Sequence, residues 1–522
     1  MWLLIIGFML LGVLYWYSTS TFGRFKGTNV PYMKPLPLIG NNASLLFALD
    51  DVIQGINKQY YAFPEHRFIG QFSFRKTGLM IRDPELIRQV GVKDFDHFMN
   101  HRPLMREDAD PLFGNNLLSL QDQKWRDMRA TLSPAFTGSK MRLMFSLVLE
   151  CAQEMAEFLK DAIEENGPQS MELKSFFTRT TNDVIASTAF GLKVDSLRDK
   201  DNLFYQMVKK VNLNTPIFLF KIVGYLLSPK MMKMLDIKLI TDECANFFRR
   251  LVHDTISIRE KQGIIRNDMI HLLMQAQKGD LHHDQVGQIK DAGFATVNES
   301  DATKAKTSKR VWTDDEITAQ AMIFLFAGFD TTSTALCFAC YELALNPDVQ
   351  KILQQEIDST SNGRKPDYET INNMKYLDMV VSESLRKWPP MPFTDRVCAK
   401  PYTLEDHEGN KFELRSDELL AFPIYQIHHD EKYFKNPEKF DPTRFSEENK
   451  HDIKPFSYMP FGFGPRSCIA SRFALMEVKA ILYNIMQNFD LSPCEKTQVP
   501  LKLKKGSIQM QPVDGFWITF KL

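Results

Sequence analysis

The chain carries no surplus of charge of either sign: Lys+Arg and Asp+Glu both number 64 in 522 residues. That balance lacks the basic footprint that nucleic-acid binding requires, so no nucleic acid is expected as a partner. Cysteine is scarce. The seven (Cys151, Cys244, Cys337, Cys340, Cys398, Cys468 and Cys494) are odd in number and scattered, which argues against a disulfide scaffold and fits a reducing compartment. Cys337 and Cys340 share C-x-x-C spacing, but with no second pair and an apolar helical setting they read as core. There is no internal repeat and no flavin or nicotinamide fingerprint, so any electrons the protein uses must come from outside. What remains is ordinary globular composition, 44% hydrophobic and 25% charged.

Charge is also missing from Met1 through Gly23, where Trp2 to Tyr17 is apolar almost throughout. Roughly 20 such residues span the ~30 Å hydrocarbon core of a bilayer. With no basic n-region and no small-x-small cleavage site, the stretch reads as an anchor rather than a cleaved signal. Arg24, Lys26 and Lys34 follow it, which places the rest of the chain in the cytoplasm. Pro31, Pro35, Pro37 and Gly40 then predict a stiff, non-helical connector.

Beyond it, helical periodicity dominates. Strand-like runs occur at Phe68–Phe74, Leu79–Ile81, Tyr402–Phe422 and Gly515–Phe520, and the polar stretch His282–Lys309 predicts a long surface loop. Thr313-Asp314-Asp315-Glu316 is a capping box that opens a long helix.

The richest segment is Phe461-Gly462-Phe463-Gly464-Pro465-Arg466-Ser467-Cys468-Ile469-Ala470. It sets one cysteine in a glycine-rich loop ahead of an amphipathic helix whose face is Val478, Ile481, Leu482, Ile485 and Phe489. A helix N-terminus and the nearby Arg466 guanidinium both favour the thiolate. Gly462 and Gly464 allow a tight turn and close approach to a flat ligand. Four further strings stand upstream: Trp125-Arg126-Asp127-Met128-Arg129, Ala327-Gly328-Phe329-Asp330-Thr331-Thr332, Glu383-Ser384-Leu385-Arg386, and Phe440-Asp441-Pro442-Thr443-Arg444-Phe445. In the second, a helical glycine and a threonine that competes for the carbonyl one turn back predict a locally loosened helix. Asp330 and Thr331 put an acid and a hydroxyl side by side, the pair that delivery of two protons to reduced oxygen needs. Glu383 and Arg386, three apart on a helix, can pair.

The order Phe-x-x-Gly-x-Arg-x-Cys, with the other four strings in sequence before it, resembles the haem-thiolate monooxygenases of the cytochrome P450 superfamily. Ala470 departs from the glycine more often found two places after the cysteine. The resemblance covers essentially the whole chain, and its finer strings are most similar to the insect ninth family of xenobiotic-metabolising members. It implies a mainly α fold with small β-sheets, and haem b held between the long central helix and the cysteine-loop helix. It divides the chain into an anchor (1–23), a proline-rich hinge (24–41) and one catalytic domain (42–522). Cys468 is then the iron ligand and Asp330 and Thr331 the proton-delivering pair. Arg466, Trp125, Arg129, Arg396, Phe461 and Gly462 would hold the cofactor, with His101 a further candidate. Glu383, Arg386 and Arg444 would form a buried structural triad. Phe324, Phe326, Ala327 and Phe218 would face a lipophilic substrate. The implied partners are O2, NADPH-cytochrome P450 reductase, cytochrome b5 and the endoplasmic-reticulum membrane, with Lys124, Arg126, Lys140 and Arg142 as a basic docking patch. Two other classes share part of this pattern: a same-fold isomerase or dehydratase that needs no reductase, and a non-catalytic haem or lipid-binding protein.

Overall fold

A capping box fixes the start of the central helix, Asp314–Leu345: the Thr313 hydroxyl accepts from the Glu316 N–H, and the Glu316 carboxylate accepts from the Thr313 N–H. The computed structural model describes residues 1–103, 105, 109–211, 215–279, 293–297, 312–361 and 365–522. Most of the expected loop His282–Lys309 therefore lies outside the described residues. The central helix runs 32 residues, about 48 Å at 1.5 Å per residue. It packs against the helices Leu173–Ile185, Asp242–Gln262 and Ser471–Asn488. Leu325, Phe326, Leu336, Phe338 and Leu343 are buried along it. Cys337 and Cys340 are fully buried there too, and desolvation pushes both thiols up, in keeping with a packing role.

Gly328 has a different reason from the one the sequence suggested. The helix is α-helical without interruption, and a Cβ on Gly328 would stand 2.9 Å from Cδ1 of Ile185. The glycine lets two helices close on each other. The loosening is confined to carbonyls: that of Ala327 accepts from Thr331 Oγ1 (2.5 Å), that of Phe329 from Thr181 Oγ1 (2.9 Å) and that of Asp330 from Lys174 Nζ (3.0 Å).

Among the described residues, three small sheets flank the helices. The largest runs in the order Phe68–Ser73, Lys76–Ile81, Leu419–Phe422, Thr394–Val397, and its one parallel pair joins Lys76–Ile81 to Leu419–Phe422. Gln169–Glu172 and Asp490–Ser492 sandwich Trp517–Lys521, and Tyr402–Glu405 pairs with Lys411–Leu414. Gln169–Glu172 and Asp490–Ser492 carry no alternating apolar signal, which is why periodicity passed over them.

The N-terminal helix Trp2–Thr19 has a mean hydropathy of 1.7 with 6% of its residues buried, so its apolar side chains face outward all round. The central helix passes the same hydropathy test but is 56% buried, as a core helix is. The segment expected as a hinge is not a free connector. Phe25 is buried against Phe72, Tyr32 and Phe412, and the Gly70 N–H donates to the Pro31 carbonyl (2.8 Å). Arg24 grips Glu418 with two hydrogen bonds of 2.6 and 2.9 Å, and the Arg75 guanidinium lies 3.5 Å over the ring of Tyr17. Proline removes helix from this segment, and aromatic burial then glues it to the first sheet.

Candidate active site

The cysteine loop is closed on itself and seated from below. The Cys468 N–H donates to the Phe461 carbonyl at 2.8 Å and the Ser467 N–H to that of Gly464 at 3.0 Å. Gly462 and Gly464 both have φ near +70° (75° and 66°), the left-handed region that glycine tolerates. Gly464 also abuts the Gly91 carbonyl so closely that a Cβ would collide with it. That contact with protein backbone, together with the positive φ, is reason enough for glycine here. Phe463 plugs the loop into the sheet, its ring 4.8 Å edge-on from Phe422, and it occupies the space that a side chain at Gly91 would need. Cys468 itself is exposed while its neighbours Arg466 and Ser467 are buried. Protein nonetheless surrounds the thiol closely enough that burial pushes its pKa up, against the Ala470 N–H and the Arg129 charge, which pull it down. The thiol is thus accessible at its surface yet closely ringed by protein. The cation that acts on it is Arg129, not Arg466 as the sequence suggested, and burial outweighs both favourable contacts.

Residues hundreds of positions apart converge beside this loop. Arg129 Nη1 donates to the Ser467 carbonyl (2.8 Å), and Arg396 Nη2 to that of Phe463 (3.3 Å). Arg396 lies 5.0 Å over the Phe463 ring and Arg466 4.0 Å over that of Trp125. All three arginines are buried, and their like charges act on one another: Arg466 is lowered by burial first and then by Arg396 and Arg129. Burial holds Arg396 down at about 10, and its Nε has no hydrogen-bond partner. His101 belongs to the same group, 3.0 Å from Asp395 and 3.4 Å from Arg396, with its pKa lowered by burial and then by Arg396. A cluster of buried guanidiniums is costly unless anions face it. A cofactor with two carboxylates and an iron seeking a thiolate fits this donor set. Arg466 is the least available member: its Nε, Nη1 and Nη2 already donate to the carbonyls of Met99, Leu117 and Leu120.

The expected triad is formed, with Glu383 and Arg386 buried and Arg444 only half-buried at its edge. Arg386 binds Glu383 in a bidentate pair (2.7 and 2.9 Å) with both side chains fully buried, and Arg444 Nε reaches the same carboxylate at 3.4 Å. Arg386 also donates to the carbonyls of His428 and Pro437, and Arg444 to those of Lys435 and Asn436. These bonds pin the irregular segment 428–444 to the helix Lys375–Lys387.

His428, which sequence reasoning missed, extends the frame to the cysteine loop. Its Nε2 accepts from the Met459 N–H (2.9 Å), so its Nδ1 carries the proton given to the Arg386 carbonyl (3.0 Å). Burial lowers this histidine to about 3. It is neutral when folded and protonates near 6.5 when unfolded, so its contribution is complete above that pH and is lost as the pH falls from 6.5 toward 3. Replacing His428 with Gln should flatten the decline of thermal stability over that window, and equal slopes for the two proteins would remove His428 from the acid limb.

On the central helix, Ala327 is exposed amid buried neighbours. One turn on, the Asp330 carboxylate is held by Lys174 Nζ (2.9 Å) and Gln509 Nε2 (2.8 Å), and Lys174 also reaches the hydroxyls of Ser333 and Thr334. Lys174 and Gln509 gave no sequence signal, since each is a lone polar residue far from the motif. Glu477, on the cysteine-loop helix, is fully buried and pushed well above the carboxylate range by desolvation, with Thr332 the neighbour that opposes this. Phe324 packs edge-on against Phe136 (5.2 Å) and Phe326 against Phe248 (6.2 Å). Phe218 is buried in the helix Pro216–Leu227, whose Ile217 and Phe220 are exposed. In the expected basic patch, Arg126 is paired with Asp96 and Arg142 with Glu369. A separate cleft of about 450 Å³, lined by Glu150, Glu154, Asp183 and Lys193 among others, contains none of these site residues.

A cysteine loop locked by a buried Glu–Arg frame, ringed by guanidiniums and set against a long helix, is the arrangement of a haem-thiolate enzyme. A family description of cytochrome P450 matches residues 30–518, and the chain belongs to that family. It is 45% identical over 533 residues to cytochrome P450 9e2 of Blattella germanica, which covers 99% of this chain and 97% of that protein. To the probable cytochrome P450 9f2 of Drosophila melanogaster it is 40% identical over 514 residues (97% and 96%), and to cytochrome P450 6k1 of Blattella germanica 35% over 514 (97% and 94%). The protein is therefore a monooxygenase of the insect ninth-family type, working with haem b, O2, an electron-supplying partner and lipophilic substrates. Its N-terminal apolar helix is compatible with a single membrane anchor.

Proposed function

We propose that Cys468 is the thiolate ligand of the haem iron and that this chain oxidises lipophilic foreign compounds, such as plant toxins and insecticides, at the endoplasmic-reticulum membrane. The observation that carries this reading is the accessible Cys468 thiol on a loop held by buried Arg129 and Arg396, with buried Arg466 repelled by both. Held by these residues, haem would supply oxygen activation, and the Cys468 thiolate would favour O–O cleavage. Arg396, Arg129 and Trp125 offer N–H groups and charge for its two carboxylates, with Arg466 behind them stacked on the indole. Phe461 and Gly462 shape the turn that presents the sulfur. Ala327 leaves room on the opposite helix. The Thr331 hydroxyl, held on the Ala327 carbonyl, and Asp330, held by Lys174 and Gln509, deliver protons to that side. Phe324, Phe326 and Phe218 contribute apolar wall toward the substrate. Residues 1–23 anchor the chain and 42–522 form its catalytic domain. Electrons come from NADPH-cytochrome P450 reductase, with cytochrome b5 as an auxiliary donor.

Membranes holding this chain and the reductase should consume NADPH in a substrate-dependent way. Turnover that needs no NADPH would favour the isomerase or dehydratase reading, and binding without consumption the non-catalytic one. Thr331→Ala should keep the haem but divert electrons to hydrogen peroxide, so product formed per NADPH falls. An unchanged ratio would take Thr331 off the proton path.

A further inference from the structure

Residues 293–297 lie between the helices Met269–Lys278 and Asp314–Leu345 in the chain, and they dock on the frame of the cysteine loop. The Phe294 N–H donates to Asp378 Oδ2 at 3.0 Å, and Asp378 Oδ1 pairs with the fully buried Lys479 at 2.8 Å. Gly293 has φ 135°, and a Cβ there would meet Asp378 and stand 2.9 Å from Lys479 Nζ, so only glycine lets the backbone close over this ion pair. The Phe294 ring then lies 5.1 Å from Phe445 and 5.5 Å from Tyr458.

Both of those rings belong to the support of the sulfur. Phe445 directly follows Arg444 of the triad. Tyr458 donates to the Ser382 carbonyl (2.9 Å), stacks on His428 (5.4 Å, 22°) and directly precedes Met459, whose N–H His428 accepts. Asp378 lies on the triad helix Lys375–Lys387 and Lys479 on the cysteine-loop helix Ser471–Asn488. One short segment thus touches the triad helix, the Arg444 segment, the residue that leads into the cysteine loop and an ion pair that joins the loop's helix to the frame. Ala295 is buried, whereas the Phe294 ring covers Phe445 and Tyr458 with one face and leaves about a third of its surface (36%) exposed.

We propose that residues 293–297 are a strap that holds the cysteine loop in register, with Phe294 as a positioning residue for the thiolate ligand. It acts through Tyr458 and Phe445 and touches neither cofactor nor substrate. The inference rests on the reading of Cys468 as the ligand, and the two fail differently. If that reading is wrong, the unaltered protein never shows the red-shifted Soret band of a thiolate-ligated carbon monoxide adduct. If only the strap is wrong, the unaltered protein shows the band and the variants keep it equally well.

The test uses the full chain in detergent-solubilised membranes, reduced and saturated with carbon monoxide, and follows conversion of the thiolate band to the blue-shifted thiol form at a fixed raised temperature. Phe294→Ala should convert about tenfold faster, the scale of two lost aromatic contacts. Gly293→Val, which lifts the backbone off Asp378 and Lys479, should do the same by a separate route. Phe294→Tyr keeps the ring and should restore the original rate. Helix content followed by circular dichroism should melt at the unaltered temperature in all three. Equal conversion rates would overturn the proposal. So would loss of the band in step with loss of helix, because the segment would then stabilise the whole fold rather than position the ligand.

Discussion

Cys468→Ser is expected to abolish both the red-shifted Soret band of the reduced carbon monoxide adduct and monooxygenase turnover. The argument is chemical. A thiolate donates electron density to iron in a way that a hydroxyl, far less acidic, does not. The protein does little to ionise this sulfur in advance: burial raises the thiol, and the Ala470 N–H and Arg129 only partly offset it. Serine would meet the same burial with a much weaker acid. Cys398→Ser is the control, since that thiol is buried and donates to the Lys400 carbonyl, and it should leave the band in place. A band that survived the loss of Cys468, or vanished with Cys398, would move the ligand elsewhere.

Arg386→Ala is expected to cost about 3–5 kcal/mol and to prevent stable haem loading, because it strands Glu383 in a fully buried site. Arg444 alone cannot compensate: its contact with that carboxylate is 3.4 Å, and its stronger bonds go to the carbonyls of Lys435 and Asn436. The carbonyls of His428 and Pro437 lose their donor in the same step. His428 in turn holds Met459, so the damage passes to the cysteine loop. Arg386→Lys should be intermediate, keeping charge but losing the two-pronged fit to the carboxylate. Yield of holoprotein and its half-life on heating measure the effect. A normal yield for the alanine variant would show that the frame does not support the loop.

Much of this site could be read from local strings because local rules made it. The Thr313–Glu316 box, the helix after Cys468 and the Glu383–Arg386 pair depend on residues within one or two turns, and all three are formed. What could not be read depends on contacts distant in sequence. Lys174 meets Asp330 across 156 positions, and Gln509 meets it across 179. The close neighbours of Gly328 and Gly464 are illegible for the same cause: what each glycine makes room for, Ile185 or Gly91, comes from another part of the chain. The charge acting on Cys468 was assigned to Arg466, two residues away, when Arg129 exerts it. Adjacency in sequence is a poor guide once a loop folds over a buried cation.

The docking of residues 24–32 bears on how this enzyme sits beside a bilayer. With Arg24 clamped to Glu418 and Phe25 wedged among three rings, the body has little freedom to roll about its stalk. If Trp2–Thr19 anchors the chain as proposed, any route for apolar molecules would meet the lipid at a nearly constant height and tilt. Shortened versions made for solubility would do best to be cut ahead of Arg24, since a later cut would take out part of the body along with the stalk.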